Sequence, residues 1–534
     1  MSTRPQSHTI PALLDEQARV HGQRLALVAG AERITYAELR ARARTAARGL
    51  AALGVRRGDH VAILMGNQSE WLAAFLAIEQ LGAVAVAVNT WATARELEHV
   101  LVTADVSTVI RADRMRKLDF RALLGDLAPL HERCPLLRRI VWVGAADTSI
   151  DAPGIAQHHW SELATRGAAV PEADLDAAGA AVQPADPVLI LFTSGSTAQP
   201  KAIVLQQGSW IENAFNIGER MHATADDRLW LAVSLFWSYG CVNAFPNLFS
   251  HGGCIVLQEQ FDAAEALELI ERERCTLMYG TPNIVGALLE HPDRPRRNLT
   301  SLRSGALIGT PEQMQLAVDL GAKEICNIYG LSETYGNCAV ADASLPLAVR
   351  LTSAGQPLPG VTVRICDGET GAELPVGKTG EIRVKGHVLR EYYKDPEKTA
   401  ESFDEDGWLR TRDLGMLDAD GLLYFRGRLK EMIKSGGINN APAEVEEILM
   451  RHPAVHTAYV IGLPEPVLDE AMAAVIIPRP GATPDPDDLK KHCRAALAAY
   501  KVPQHWRIAR LDELPLTTTS KVQKMRLKEL FGRT

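Results

Sequence analysis

Two stretches of this chain alternate helix and strand signals, and that alternation restricts the fold more than any other feature. Residues 37–53 place Leu39, Ala43, Ala46, Leu50 and Leu53 on one helical face, with Gly54 beyond as a stop. Residues 60–65 (HVAILM) read as a strand, 69–81 as a helix and 83–88 as a strand. The pattern returns from about 230 to 330: apolar strands at 230–235, 254–257, 276–279 and 324–329, helical stretches at 263–273 and 311–320. Short apolar strands separated by helices pair in parallel, so the expected class is α/β with doubly wound subdomains.

Elsewhere the pattern changes. Residues 144–186 are rich in Ala, Asp, Gly and Pro with little periodicity, and read as a long surface connection. From about 350 the chain shows strand and turn signals without long helices (361–384, 422–425), a β-rich subdomain. After Gly427 comes RLKEMIKSGG, a charged, Gly-terminated segment, and then a domain-sized α+β tail. That segment is a candidate hinge, dividing the chain into 1–430 and 431–534.

Composition excludes more than it identifies. The 534 residues exceed one domain, and 46% hydrophobic with 23% charged content is ordinary for globular chains. Net charge is −8 and no basic block appears, so nucleic acid is not an expected partner and an anionic ligand must be met locally. The eight cysteines form no CxxC or zinc spacing and read as small core residues in a reducing compartment. The apolar run 71–88 is broken by Glu79-Gln80 and Gly82, so it reads as helix, turn and strand rather than a membrane span. With no signal-peptide core at the start and FGRT at the end, the expected location is cytoplasmic.

Residues 192–201, FTSGSTAQPK, lie between two short apolar runs, 187–192 and 203–205. The small residues permit close backbone approach. The hydroxyls of Thr193, Ser194, Ser196 and Thr197 with Lys201 suit an anion. The loop is not a Walker A motif, because Lys201 follows Pro200. Four other stretches bear on it. In NIYGLSET (327–334) a strand runs into Glu333, a carboxylate able to hold Mg²⁺ on a phosphate. In WLRTRDLG (408–415), Asp413 can accept both hydroxyls of a ribose. In GRLKEMIKSGG (427–437), Arg428 reaches a ribose or phosphate, and Gly436-Gly437 allow close approach. In LPLTTTSKVQK (514–524), Lys521 tips a Thr/Ser loop. Taken singly, each reads as well as an ordinary turn, linker or surface residue.

In this order and at these separations they carry a resemblance. The chain resembles the adenylate-forming (AMP-binding) superfamily, closest in character to acyl- and aryl-CoA synthetases. The likeness runs from ITYAEL (34–39) to SKVQK (520–524), through GQPLPGVTVRI (355–365), GEIRVKG (380–386), DGW (406–408) and YKVP (500–503). The resemblance implies a large N-terminal domain and a small C-terminal domain that rotates between half-reactions. It implies that 193–201, including Gly195, holds the pyrophosphate end of ATP. Glu333 would bind Mg²⁺, and Tyr329, followed by Gly330, would stack on adenine, with Gly305 and Ala306 lining that site. Ser332 would contact the α-phosphate, Asp413 and Arg428 the ribose, and Lys521 the α-phosphate and substrate carboxylate. Lys430 would be the hinge and Gly436-Gly437 would flank the pantetheine of coenzyme A.

The sequence departs from the family at four glycines, replaced by Ala198, Ala202, Arg412 and Ser520; backbone strain or slower loop closure is the expected consequence at Ala198 and Ala202. In SLFWSYGCVN (234–243) no Asp stands where amino-acid-activating relatives anchor an amine, which argues against an α-amino acid. Trp237 and Tyr239 suit an aryl acid, Trp237 equally gates an alkyl chain, and both equally read as core packing. The expected reaction is ATP-dependent ligation of an aryl or medium-chain acid to coenzyme A, by a monomer or homodimer. The alternatives are a stand-alone enzyme that loads a separate carrier protein, and an inactive nucleotide-binding scaffold.

Overall fold

The computed structural model describes residues 4–145, 149–193, 200–431, 433–435, 438–440, 442–465, 469–497, 501–516 and 522–532. Ser194, Gly195, Ser196, Thr197, Ala198, Gly436, Gly437, Ser520 and Lys521 lie outside them. Lys430 is described by its backbone alone, in the turn Leu429–Glu431.

The described residues pack as two compact units, 1–362 with 384–409, and 363–383 with 410–534. The first contains two eight-stranded sheets. One is ordered Ala339–Val340, Glu324–Tyr329, Ser304–Leu307, Leu277–Tyr279, Arg228–Leu231, Cys254–Leu257, Leu25–Ala29, Glu32–Thr35. Its central pairs are parallel, as the alternating signals require. The other runs Glu391–Tyr392, Lys201–Gln206, Pro187–Thr193, Val84–Ala87, His60–Leu64, Val106–Ala112, Arg139–Val143, Ala156–His159. The helix Ser69–Gln80 is buried on every side from Trp71 onward, and Trp71, Phe75, Trp210 and Phe245 form an aromatic core around it. Its apolar run 71–78 needs such surroundings on every face. No helix among the described residues is long and apolar enough to cross a membrane.

Predicted and observed elements agree at the long periodic segments. The helix expected over 37–53 is Tyr36–Ala52, started by a capping box between Thr35 and Glu38. The expectation of a long surface connection over 144–186 is corrected: the segment holds the strand Ala156–His159 and the helices Glu162–Gly167 and Glu172–Ala180. The small residues that read as a linker permit a close helix crossing. A Cβ on Gly167 would stand 2.6 Å from the backbone nitrogen of Gly49, and one on Gly49 would strike Leu163. Arg44 and Arg48 then reach over to Glu172, and Arg44 to Asp176 at 2.7 Å.

The second unit contains most of the β-rich part, a four-stranded sheet of Val361–Cys366, Gly380–Gly386, Leu409–Leu417 and Leu423–Arg428. It also contains a five-stranded sheet built on the hairpin Val455–Glu465 and Asp469–Pro478. The helices Pro442–Met450 and Pro486–Ala496 bury Val445, Leu449, Leu489 and Cys493 in one core with Val460, Ala474 and Ile476. Division by packing thus groups the β-rich sheet with the tail, whereas the hinge expected at 430 concerns motion. All eight cysteines are buried and unbridged.

Candidate active site

The phosphate-loop candidate closes a hairpin. Pro187–Thr193 and Lys201–Gln206 pair antiparallel, with Thr193 opposite Lys201. The hairpin mouth is fixed from the side by His99 of the helix Ala94–Thr103. Its Nε2 lies 3.0 Å from the Pro200 carbonyl oxygen, its Nδ1 3.3 Å from the Thr103 hydroxyl, and its ring packs edge-on to Phe192. Ala202 sits within the regular strand, opposite Phe192, and its carbonyl accepts from the Tyr393 N–H at 2.8 Å. Strand backbone is open to any L-residue, so the strain expected at Ala202 does not arise.

The adenine-site candidates collect at neighbouring parallel strands. Gly305 has φ +141°, and a Cβ there would collide with the Met278 carbonyl oxygen on the next strand; no larger residue fits without backbone movement. Ala306 follows it on the strand Ser304–Leu307, and Tyr329 ends the next strand over, 3% exposed. Beyond Tyr329 and Gly330 the chain turns once, Ser332–Thr334, and brings Ser332 and Glu333 to the carboxyl ends of the strands, where ligands collect in open α/β sheets. Thr334 Oγ1 accepts from the Leu331 N–H at 2.9 Å, and the left-handed Tyr335 presents its hydroxyl to the Gln206 N–H at 2.8 Å.

Glu333 is therefore held close to the hairpin. Its backbone carbonyl accepts from the Leu389 N–H at 2.6 Å, and Tyr392 Oη donates to its Oε1 at 2.9 Å. The ammonium of Lys201 lies over the same Tyr392 ring, 5.9 Å from its centroid. A carboxylate and an ammonium far apart in sequence thus meet on one aromatic ring. The structure holds no triad of His, Cys, Asp or Glu among the described residues that would cage a metal alone. One carboxylate beside the candidate phosphate-loop hairpin is a donor set that suits Mg²⁺, which takes its remaining ligands from substrate phosphates and water.

The acyl-pocket candidates divide. Ser238, Trp237 and Tyr239 lead into a π-helical turn, Tyr239–Ala244. Tyr239 Oη donates to the Ala306 carbonyl at 2.7 Å, with that of Gly280 at 3.2 Å, and burial pushes its phenol well above the ordinary value. Its hydroxyl thereby ties this segment to the strand Ser304–Leu307, leaving the ring, with its centroid 5.0 Å from that of Tyr279, as its apolar surface. Ser238 Oγ accepts from Ser332 Oγ at 2.9 Å, so the same segment touches the α-phosphate candidate. Trp237 is only partly buried and joins Trp91 and Phe236 in a cluster with centroids 5.2–5.5 Å apart.

In the second unit, Asp413 and Arg428 are paired residues of adjacent antiparallel strands, with Arg428 Nε 3.5 Å from Asp413 Oδ1. Asp413 is nearly buried while Arg428 is half exposed. Arg412, beside them, has φ +61°, the left-handed conformation that favours the glycine it replaces.

Sequence reasoning missed Tyr392, His99, Trp91 and Ser238. Tyr392 lies on the two-residue strand Glu391–Tyr392, too short to show a period. His99 sits in an amphipathic helix whose pattern announces only a core face, and Trp91 stands alone in a polar turn. Only tertiary proximity reveals them.

Comparison with known proteins identifies the family. The AMP-binding enzyme family matches residues 14–393, and the AMP-binding enzyme C-terminal domain matches 444–521. A feruloyl-CoA synthase of an Amycolatopsis species is 34% identical, over 97% of this chain and 98% of its own length. A mitochondrial medium-chain acyl-CoA ligase of Mus musculus, ACSF2, is 30% identical over 98% of this chain and 87% of its own. The crystal structure of the anthranilate CoA ligase AuaEII with anthranoyl-AMP superposes with a TM-score of 0.83 at 25% identity, covering 98% of each chain. With both domains matched and full-length acyl-CoA ligases aligned end to end, the chain belongs to the AMP-binding enzymes, the adenylate-forming superfamily.

Proposed function

We propose that this acid–thiol ligase activates an aryl or medium-chain carboxylic acid as its acyl-adenylate, releasing pyrophosphate, and transfers the acyl group to coenzyme A. The observation that supports it most is the convergence of Lys201 and Glu333 on Tyr392, at the base of the hairpin and the ends of the parallel strands. Opposite charges placed there suit a magnesium–polyphosphate. Mg²⁺ would neutralise charge on the phosphate oxygens as the substrate carboxylate attacks the α-phosphorus. Lys201 and the loop 193–201 hold the leaving pyrophosphate, and Tyr329 with Gly305, Ala306 and Gly330 forms the adenine slot. Ser332 contacts the α-phosphate, and Asp413 with Arg428 holds the ribose.

Lys521 acts as a positioned charge on the α-phosphate and substrate carboxylate. It is carried on a domain that begins after Lys430 and turns between half-reactions, bringing Gly436 and Gly437 beside the pantetheine thiol. The aromatic wall of Trp91, Phe236 and Trp237 favours a flat or extended apolar acid. Relatives named for feruloyl, anthranilate and medium-chain substrates support the same range. A cytoplasmic location is part of the proposal, and the unbridged cysteines suit it.

ATP–pyrophosphate exchange with a panel of aryl and C6–C12 acids tests the adenylation step. Exchange dependent on one of these acids is expected. Exchange only with amino acids, or none across a wider acid panel, would refute the reading. A scaffold without turnover gives none with any acid.

A further inference from the structure

We propose that Tyr392 is a positioning residue of the adenylation step, setting the Glu333 carboxylate and the Lys201 ammonium in register with one polyphosphate. The proposal rests on the reading of Glu333 as the magnesium carboxylate. A glutamate that binds a cation without help from other carboxylates must hold one rotamer, and a freely rotating side chain loses entropy each time it binds. Tyr392 removes that freedom by donating to Oε1 at 2.9 Å. No other described side chain bonds that carboxylate, so Oε2 remains for the cation.

The tyrosine is itself immobilised. Glu391–Tyr392 extends the large sheet as its edge strand, with Tyr392 opposite Ile203 and Glu391 opposite Val204. Leu389 N–H bonds the Glu333 carbonyl on one flank, and Tyr393 N–H bonds the Ala202 carbonyl on the other, at 2.6 and 2.8 Å. Tyr393 Oη and the Lys394 ammonium then anchor to Asp105 at 2.9 and 2.6 Å. The Tyr392 ring is 6% exposed, and its face carries Lys201 at cation–π distance. One short strand thereby fixes the distance between the cation site and the phosphate lysine. Tyr392 acts through these two groups.

Calorimetric titration of ATP into the protein, with Mg²⁺ and with EDTA, tests this on Tyr392→Phe, Tyr392→Leu and Glu333→Gln. Tyr392→Phe keeps the ring and loses the donor. The expected result is a roughly 10-fold weaker Mg²⁺-dependent component, unchanged binding in EDTA and an unchanged melting temperature. Tyr392→Leu also loses the surface under Lys201, so binding in EDTA weakens as well. A Tyr392→Phe protein with wild-type Mg²⁺ dependence, where Glu333→Gln has lost it, overturns the role of Tyr392 alone. Wild-type Mg²⁺ dependence in Glu333→Gln overturns the reading of Glu333 on which the proposal stands.

Discussion

Arg412 occupies a left-handed backbone conformation, φ +61°, with its side chain exposed. An L-residue there costs roughly 1–2 kcal/mol, and glycine recovers part of this at the expense of a more disordered unfolded chain, roughly 0.4–1 kcal/mol. Arg412→Gly is therefore expected to stabilise the second unit by about 0.5–1 kcal/mol, read as a rise in its melting temperature, with ATP affinity unchanged because Asp413 and Arg428 stay in place. A fall in melting temperature would show that the arginine side chain makes a stabilising contact that outweighs the strain. Ala202 gives the contrast. It also replaces a family glycine, yet it sits in ordinary strand backbone, and no comparable gain is expected from restoring glycine there.

The helix Ser69–Gln80 shows what an element's surroundings do to a charge. Glu79 is fully buried, Gln207 donates to it, and among the described residues no cation pairs with it. Burial raises its pKa well above the usual carboxylate range, so the folded protein keeps the proton. The unfolded chain releases that proton as pH rises past the ordinary value near 4.5. Stability from this group is therefore complete below that pH and declines above it until the folded pKa is reached, by up to roughly 1.4 kcal/mol per pH unit. Glu79→Gln removes the slope. The melting-temperature difference between Glu79→Gln and wild type should move in favour of the variant from pH 5 to pH 8; a constant difference would mean that Glu79 ionises normally in the fold.

The same scale shows what sequence discloses. Strands 254–257 and 324–329 and the helix 311–320 appear where their apolar periods place them, because burial on one or both faces writes a pattern into the residues. The helices of 162–180 leave no such pattern. They pack through Gly49, Gly167 and surface arginine–carboxylate pairs, so the signal is a loss of side chain rather than a gain of apolar ones. Glu333, Lys201 and Asp413 are legible through their motifs. Tyr392 and His99 are not, since each is defined by the atoms it touches across the fold.

At the scale of the whole molecule, two compact units divide the candidate site residues. Lys201, Glu333, Tyr329 and Gly305 belong to the first, and Asp413, Arg428 and the segment leading to Lys521 to the second. The hinge proposed after Lys430 divides the second unit further, since a lysine carried beyond it can leave when the first step is done while Asp413 and Arg428 stay in place. The most direct test of the account is mass spectrometry of the products formed from ATP, Mg²⁺, coenzyme A and a mixed panel of aryl and medium-chain acids. The account predicts AMP, pyrophosphate and a single class of acyl-CoA, with omission of coenzyme A leaving the acyl-adenylate on the enzyme. An acyl-adenylate that forms but never yields a thioester with coenzyme A, and does so with a carrier protein, would contradict it.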